Sequence, residues 1–145
     1  MIRVSVQTLP FDEGTELASL RVEGVGGVAS FTGVVRGDDG LVELHLDHYP
    51  RMTEAALNTL AEAAHQRWNL LGVIVIHRVG SLRPGEPIVF VGTSAAHRSA
   101  ALEACAYLID TLKRDAPFWK RETFADGHSH WVEARDSDEA AAARW

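Results

Sequence analysis

The chain has 145 residues, 46% of them hydrophobic and 23% charged, a balance that fits one globular domain over residues 1–145 with a substantial core. Its formal net charge of -6 excludes a general nucleic-acid binder, which needs a basic face to displace counterions. The longest apolar run, Leu70 to Ile76, is too short to span a bilayer, and the single cysteine, Cys105, rules out an internal disulfide.

No charged start followed by an apolar stretch marks a secretion signal, so a reducing, cytoplasmic setting is expected, with no membrane contact. Ile2, Val4 and Val6 alternate with polar residues and predict a first strand. The glycine-rich turn 24–27 leads into a second, Val28 to Thr32. Gly37-Asp38-Asp39-Gly40 is a turn signal, and Val42, Leu44 and Leu46 then alternate with Glu43, His45 and Asp47. The pattern predicts a half-buried antiparallel hairpin. Thr53 is read as the N-cap of a helix running to about Trp68, with Leu57, Leu60, Ala61 and Ala64 on its apolar stripe.

Val73 to Val79 reads as a buried strand, residues 83–87 as a turn, and Ile88 to Val91 as a further strand. A second helix opens near Ser94 and turns Ala101, Leu102, Cys105, Leu108, Ile109 and Leu112 inward. It stops before Pro117, which disfavours helix at Ala116. Residues 140–144 form a short terminal helix. Paired strands separated by two long helices indicate an α+β fold with a largely antiparallel sheet rather than a doubly wound one.

Twelve of the fourteen basic residues are arginine, and the two lysines, Lys113 and Lys120, fall seven apart in one segment. Arginine stays protonated, whereas a lysine amine acts as base or nucleophile once its pKa is lowered. Lys113 shares a helical stripe with Leu102 and Ile109, so its stem is expected along the edge of the apolar face, where desolvation lowers its pKa. On a continuous helix the two amines are about 10.5 Å apart along the axis. The break at Pro117 lets the chain turn both toward one pocket, walled by Phe118 and Trp119.

His97 and Arg98 fall in the first turn of the second helix, where cations oppose the dipole unless an anion binds there. They are candidate phosphate or carboxylate ligands, and Arg36, at the lip of a loop, is a candidate anion clamp. The ligand expected is a small anion. His45, Asp47, His48, His128 and His130 reproduce no zinc spacing, so no metal is assigned. Cys105 lies on the apolar face of its helix and reads as core.

Taken together, Phe31-Thr32-Gly33-Val34-Val35-Arg36, His48-Tyr49-Pro50, Val75 to Gly80, Ser94 to Ser99, Leu112 to Glu122 and Trp131 to Arg135 resemble the large, catalytic subunit of molybdopterin synthase. The likeness runs in collinear order from about Gly27 to Trp145. It implies an α+β fold with a hammerhead-like β element and two main helices. It also implies an enzyme, a sulfurtransferase of molybdenum cofactor biosynthesis that converts cyclic pyranopterin monophosphate into molybdopterin by installing a dithiolene.

The sulfur comes on the C-terminal Gly-Gly thiocarboxylate of a small ubiquitin-like partner, and the assembly is a heterotetramer built on a homodimer of large subunits. No cofactor is implied. By the same resemblance Lys113 and Lys120 are catalytic, Arg121 and Glu122 line the pocket, and Arg135 completes it, in its own or the neighbouring subunit's site. Arg36, His97 and Arg98 suit the phosphate. The loop 37–40 is shorter and more acidic than in many relatives, and Val34 stands where some carry lysine. Two other readings are a non-catalytic module that binds a pterin or nucleotide phosphate, or only a ubiquitin-like partner, and a lysine-dependent enzyme that forms a Schiff base with a carbonyl substrate.

Overall fold

A computed structural model describes residues 1–132 and 136–145 of the chain. Two four-stranded sheets carry the fold. The first has the order β1 (Ile2–Gln7), β4 (Gly72–Arg78), β6 (Pro87–Ala95), β2 (Gly27–Val34). The second runs β5 (Gly80–Leu82), β3 (Leu41–His48), β7 (Phe118–Phe124), β8 (Ser129–Val132). Every strand pair is antiparallel except β1 with β4.

Strand β4 is apolar up to Ile76 because it is covered on both sides. Val73 and Val75 meet α2 (Met52–Arg67) and α3 (Arg98–Asp115) through Leu57, Leu60, Ala61, Ala104 and Leu108. Ile74 and Ile76 point the other way, onto Leu20 and Phe90, beside α1 (Glu13–Ser19). Helix α1 escaped the sequence reading, although its signals are present. Asp12 caps it by accepting from the Thr15 amide at 2.8 Å, and Glu13 and Glu16 occupy the first turn. The second sheet has its own core of Leu41, Leu44, Leu46 and Leu82.

Four local expectations are revised. Residues 37–40 form a turn, with Asp39 and Gly40 at φ 57 and 80, but no hairpin. β2 pairs with β6 and β3 pairs with β5 and β7, so the turn passes the chain between sheets. Alternation shows that a strand is half-buried, not which strand it pairs with. Thr53 is not the N-cap of α2; Arg51 takes that position, and the Thr53 hydroxyl turns inward.

Helix α3 begins at Arg98 rather than near Ser94, because β6 stays paired with β2 as far as Ala95. Leu102 is 60% exposed, so the stripe it shares with Lys113 follows the outer side of α3, and Lys113 is exposed too. The end of α3 is as expected. Ala116 turns to φ -83, ψ 123 ahead of Pro117, and β7 starts two residues later. A last helix, α4 (Asp136–Ala143), packs near α3, its neighbour Arg144 bonded to Asp110 at 2.7 Å.

Candidate active site

The break at Pro117 sets the position of the lysines. Lys113 leaves the last turn of α3, and Lys120 stands on β7, which runs back along β3. Both line one cleft of about 450 Å³. Phe31, Thr32, Gly33 and Val34 of β2 form one wall, and Ala116, Pro117 and Phe118 form another. Gly33 is needed at that wall, since a Cβ there would come within 2.7 Å of Val89 Cγ1. Arg114 adds a third cation and Asp138 of α4 an anion.

The proline segment is held from below. Thr53 Oγ1 donates to the Pro117 carbonyl at 2.9 Å and accepts from the Tyr49 amide at 3.0 Å. Register alternation on β7 then sorts the side chains. Lys120 and Glu122 oppose Leu46 and Leu44, which are buried, so they face inward. Trp119 and Arg121 take the opposite face. There the Arg121 guanidinium lies 5.6 Å from the Trp131 ring centre, away from the lysine cleft.

Other expected site residues lie elsewhere in the chain. Arg36 pairs with Asp38 at 2.6 Å in a second cleft, shared with Glu122, which is 3.2 Å from the His130 ring. His97 and Arg98 are exposed at the start of α3, while Lys113 is at its end. Fifteen residues of helix put Arg98 roughly 22 Å along the axis from Lys113. One chain therefore does not bring His97 and Arg98 to the lysines. The backbone at 96–98 is held close against Gly26, where a Cβ would come 2.0 Å from the Ala96 carbonyl oxygen. Arg135 lies outside the described residues.

The cleft also contains a residue the sequence reading did not assign. His77, on β4, is 5% exposed and lines the cleft, stacked on Phe118 at 3.7 Å and 20°. Burial above all, and then the charges of Lys120, Lys113 and His48, lower its pKa to about 3, against an opposing bond to the Arg78 carbonyl. The available signal was a titratable residue closing the aliphatic run Val73-Ile74-Val75-Ile76. Cys105 is buried in the core, and burial pushes its thiol up to about 11. Among the described residues no group of three or more histidine, cysteine or carboxylate side chains is arranged to hold a metal ion, and no helix is long and apolar enough to cross a membrane.

Known proteins share this architecture. The profile of the family described as MoaE protein matches residues 6–115. The molybdopterin synthase catalytic subunit of Pseudomonas aeruginosa is 51% identical over 147 residues, covering 98% of this chain and 97% of that protein. The molybdopterin biosynthesis MoaE protein of Burkholderia ambifaria superposes with a TM-score of 0.86 at 46% identity, over 100% of this chain and 98% of that one. A chain in the complex of subunits 1 and 2 of the molybdopterin-converting factor of Helicobacter pylori gives a TM-score of 0.66 at 25% identity, over 93% and 90%. With a profile match over most of its length and half its residues shared with a full-length relative, the chain belongs to the MoaE protein family.

Proposed function

We propose that this protein is the catalytic subunit of a molybdopterin synthase, transferring sulfur to cyclic pyranopterin monophosphate in molybdenum cofactor biosynthesis. The observation that carries the reading is the convergence of the chain's two lysines, from two different elements, on one cleft. Relatives named for this activity cover nearly the whole chain. The sulfur donor is a small ubiquitin-like partner ending in a Gly-Gly thiocarboxylate, in line with the two-subunit complex of the Helicobacter pylori relative. The setting is the cytoplasm.

The chemistry asks for what the cleft offers. A thiocarboxylate and a phosphate are both anions, and Lys113 and Lys120 supply cationic donors to hold them, whereas Arg114 is already paired with Asp115 at 2.6 Å. Lys113, exposed at the helix end, is placed to activate the thiocarboxylate or the half-sulfurated pterin, with Lys120, on the same cleft, as the second amine. Each partner delivers one sulfur: a carbon–sulfur bond replaces a carbon–oxygen bond on the pterin side chain, the acyl carbon–sulfur bond breaks, and water supplies the oxygen of the released carboxylate. A dithiolene has two sulfurs, so two loaded partners are consumed per product. The buried thiol of Cys105 takes no part.

His97 and Arg98 bind phosphate in this reading only from a second copy of the chain, because their own lysines lie a helix length away. A homodimer supplies that copy. Arg36 and Glu122 border the neighbouring cleft, Arg121 braces β7 and β8, and Arg135 is retained as a site residue by resemblance.

Reconstitution from thiocarboxylated partner and cyclic pyranopterin monophosphate tests this. Lys113→Arg is expected to keep the fold and partner binding and to lower molybdopterin formation about a hundredfold or more. Turnover within a few-fold of wild type in that variant would overturn the assignment.

A further inference from the structure

The cations of the lysine cleft present only N–H donors. Of the acceptors there, Asp138 is charged, and the Thr32 hydroxyl is turned toward α1, where it donates to Glu13 at 2.9 Å. His77 is an acceptor of another kind. Its Nδ1 is 2.8 Å from the Arg78 carbonyl oxygen, which only accepts, so Nδ1 bears the ring proton. Burial keeps the ring neutral at pH 7, which leaves a lone pair on Nε2. The ring is also fixed in place. One face stacks on Phe118, and β4 is held between β1 and β6.

A neutral lone pair discriminates by charge type. It repels the oxygens of a phosphate or thiocarboxylate, which are acceptors themselves, and attracts an N–H. The pterin ring system offers N–H and amino donors, whereas its cyclic phosphate and the partner's thiocarboxylate group do not. We propose that His77 is a substrate-binding residue whose Nε2 accepts a hydrogen bond from the pterin heterocycle and orients it against the two lysines. This rests on the functional reading above. It adds a contact that reads the ring and is separate from the cations that hold the anionic groups.

Two variants of the full chain, in complex with the partner, separate the parts. His77→Phe keeps a flat ring against Phe118 and removes the acceptor, and His77→Gln keeps an acceptor near the position of Nε2. His77→Phe is expected to weaken cyclic pyranopterin monophosphate binding about tenfold, with partner affinity unchanged and much of the loss recovered in His77→Gln. Because the Arg78 carbonyl loses its donor in His77→Phe, the wild-type protein supplies an independent readout. With 15N-labelled histidine, the Nε2 resonance is expected to move upfield on adding the pterin and to stay in place with inorganic phosphate or a Gly-Gly peptide. Wild-type pterin affinity in His77→Phe, or an unmoved Nε2 resonance at pterin saturation, overturns the proposal while leaving the synthase reading intact. A wild-type complex that neither binds nor converts the pterin overturns both.

Discussion

Thr53 and Pro117 lie 64 positions apart in the sequence, yet the Thr53 hydroxyl donates to the Pro117 carbonyl at 2.9 Å inside the fold. That bond ties the start of α2 to the turn that aims both lysines. Thr53→Val keeps the shape and removes the donor, leaving a carbonyl and the Tyr49 amide without this partner. A loss of about 2 kcal/mol is expected, seen as a fall in melting temperature of roughly 6 °C. Turnover should fall with it, because Pro117 to Lys120 is no longer held. Unchanged stability in denaturant melts would show that the bond is not maintained in solution.

Assembly gives a second prediction. If His97 and Arg98 serve the lysines of a second copy, Lys113→Arg and Arg98→Ala inactivate different halves of one site. Mixing the two inactive proteins after unfolding and refolding should restore about a quarter of wild-type activity, since half the dimers are hybrid and each has one intact site. Complete inactivity of the mixture, with hybrid dimers demonstrated by mass spectrometry, would mean that the two residues do not act across the dimer.

Cys105 leads to a third. Its thiol is buried and its pKa raised by that burial to about 11, so little thiolate forms at neutral pH. Native protein should resist a thiol reagent at pH 8 and react once unfolded. Cys105→Ala should cost about 1 kcal/mol of stability and leave sulfur transfer within twofold of wild type. Rapid labelling of the native state together with lost transfer would contradict the external sulfur source.

Stability should also depend on pH through His77. Its folded pKa of about 3 lies below the unfolded value near 6.5, so on acidification the unfolded chain takes the proton first. The unfolded state is thereby favoured, and stability declines as pH falls from about 6.5 toward 3, while above that window the contribution of His77 does not change with pH. Between pH 7 and pH 5 the loss from this group is about 2 kcal/mol. Urea titrations at the two pH values should show it, and His77→Phe should remove most of it. An equally steep decline in that variant would assign the effect to other groups.

Much of the architecture was legible in the chain. The apolar run of β4, the spacing of Leu57, Leu60, Ala61 and Ala64, and the stop before Pro117 are local matters of period and backbone sterics. So was the oddity of two lysines seven residues apart among twelve arginines. Thr53 was misread because Ser and Thr serve equally well as caps and as tertiary donors, and nothing nearby in sequence distinguishes the two.

What the sequence determined by itself, then, is strands β1 to β4 and β6, helices α2 and α3, the break at Pro117 and the residue types that could do the chemistry. The tertiary structure decided the rest. It sent β2 and β3 to different sheets, put His77 against the lysines, turned Arg121 outward, and separated Arg98 from Lys113 by the length of α3. Hydrophobic period records which side of an element is buried, a property of a few neighbouring residues. The partner it is buried against depends on packing between segments dozens of residues apart, and only the folded chain contains that information.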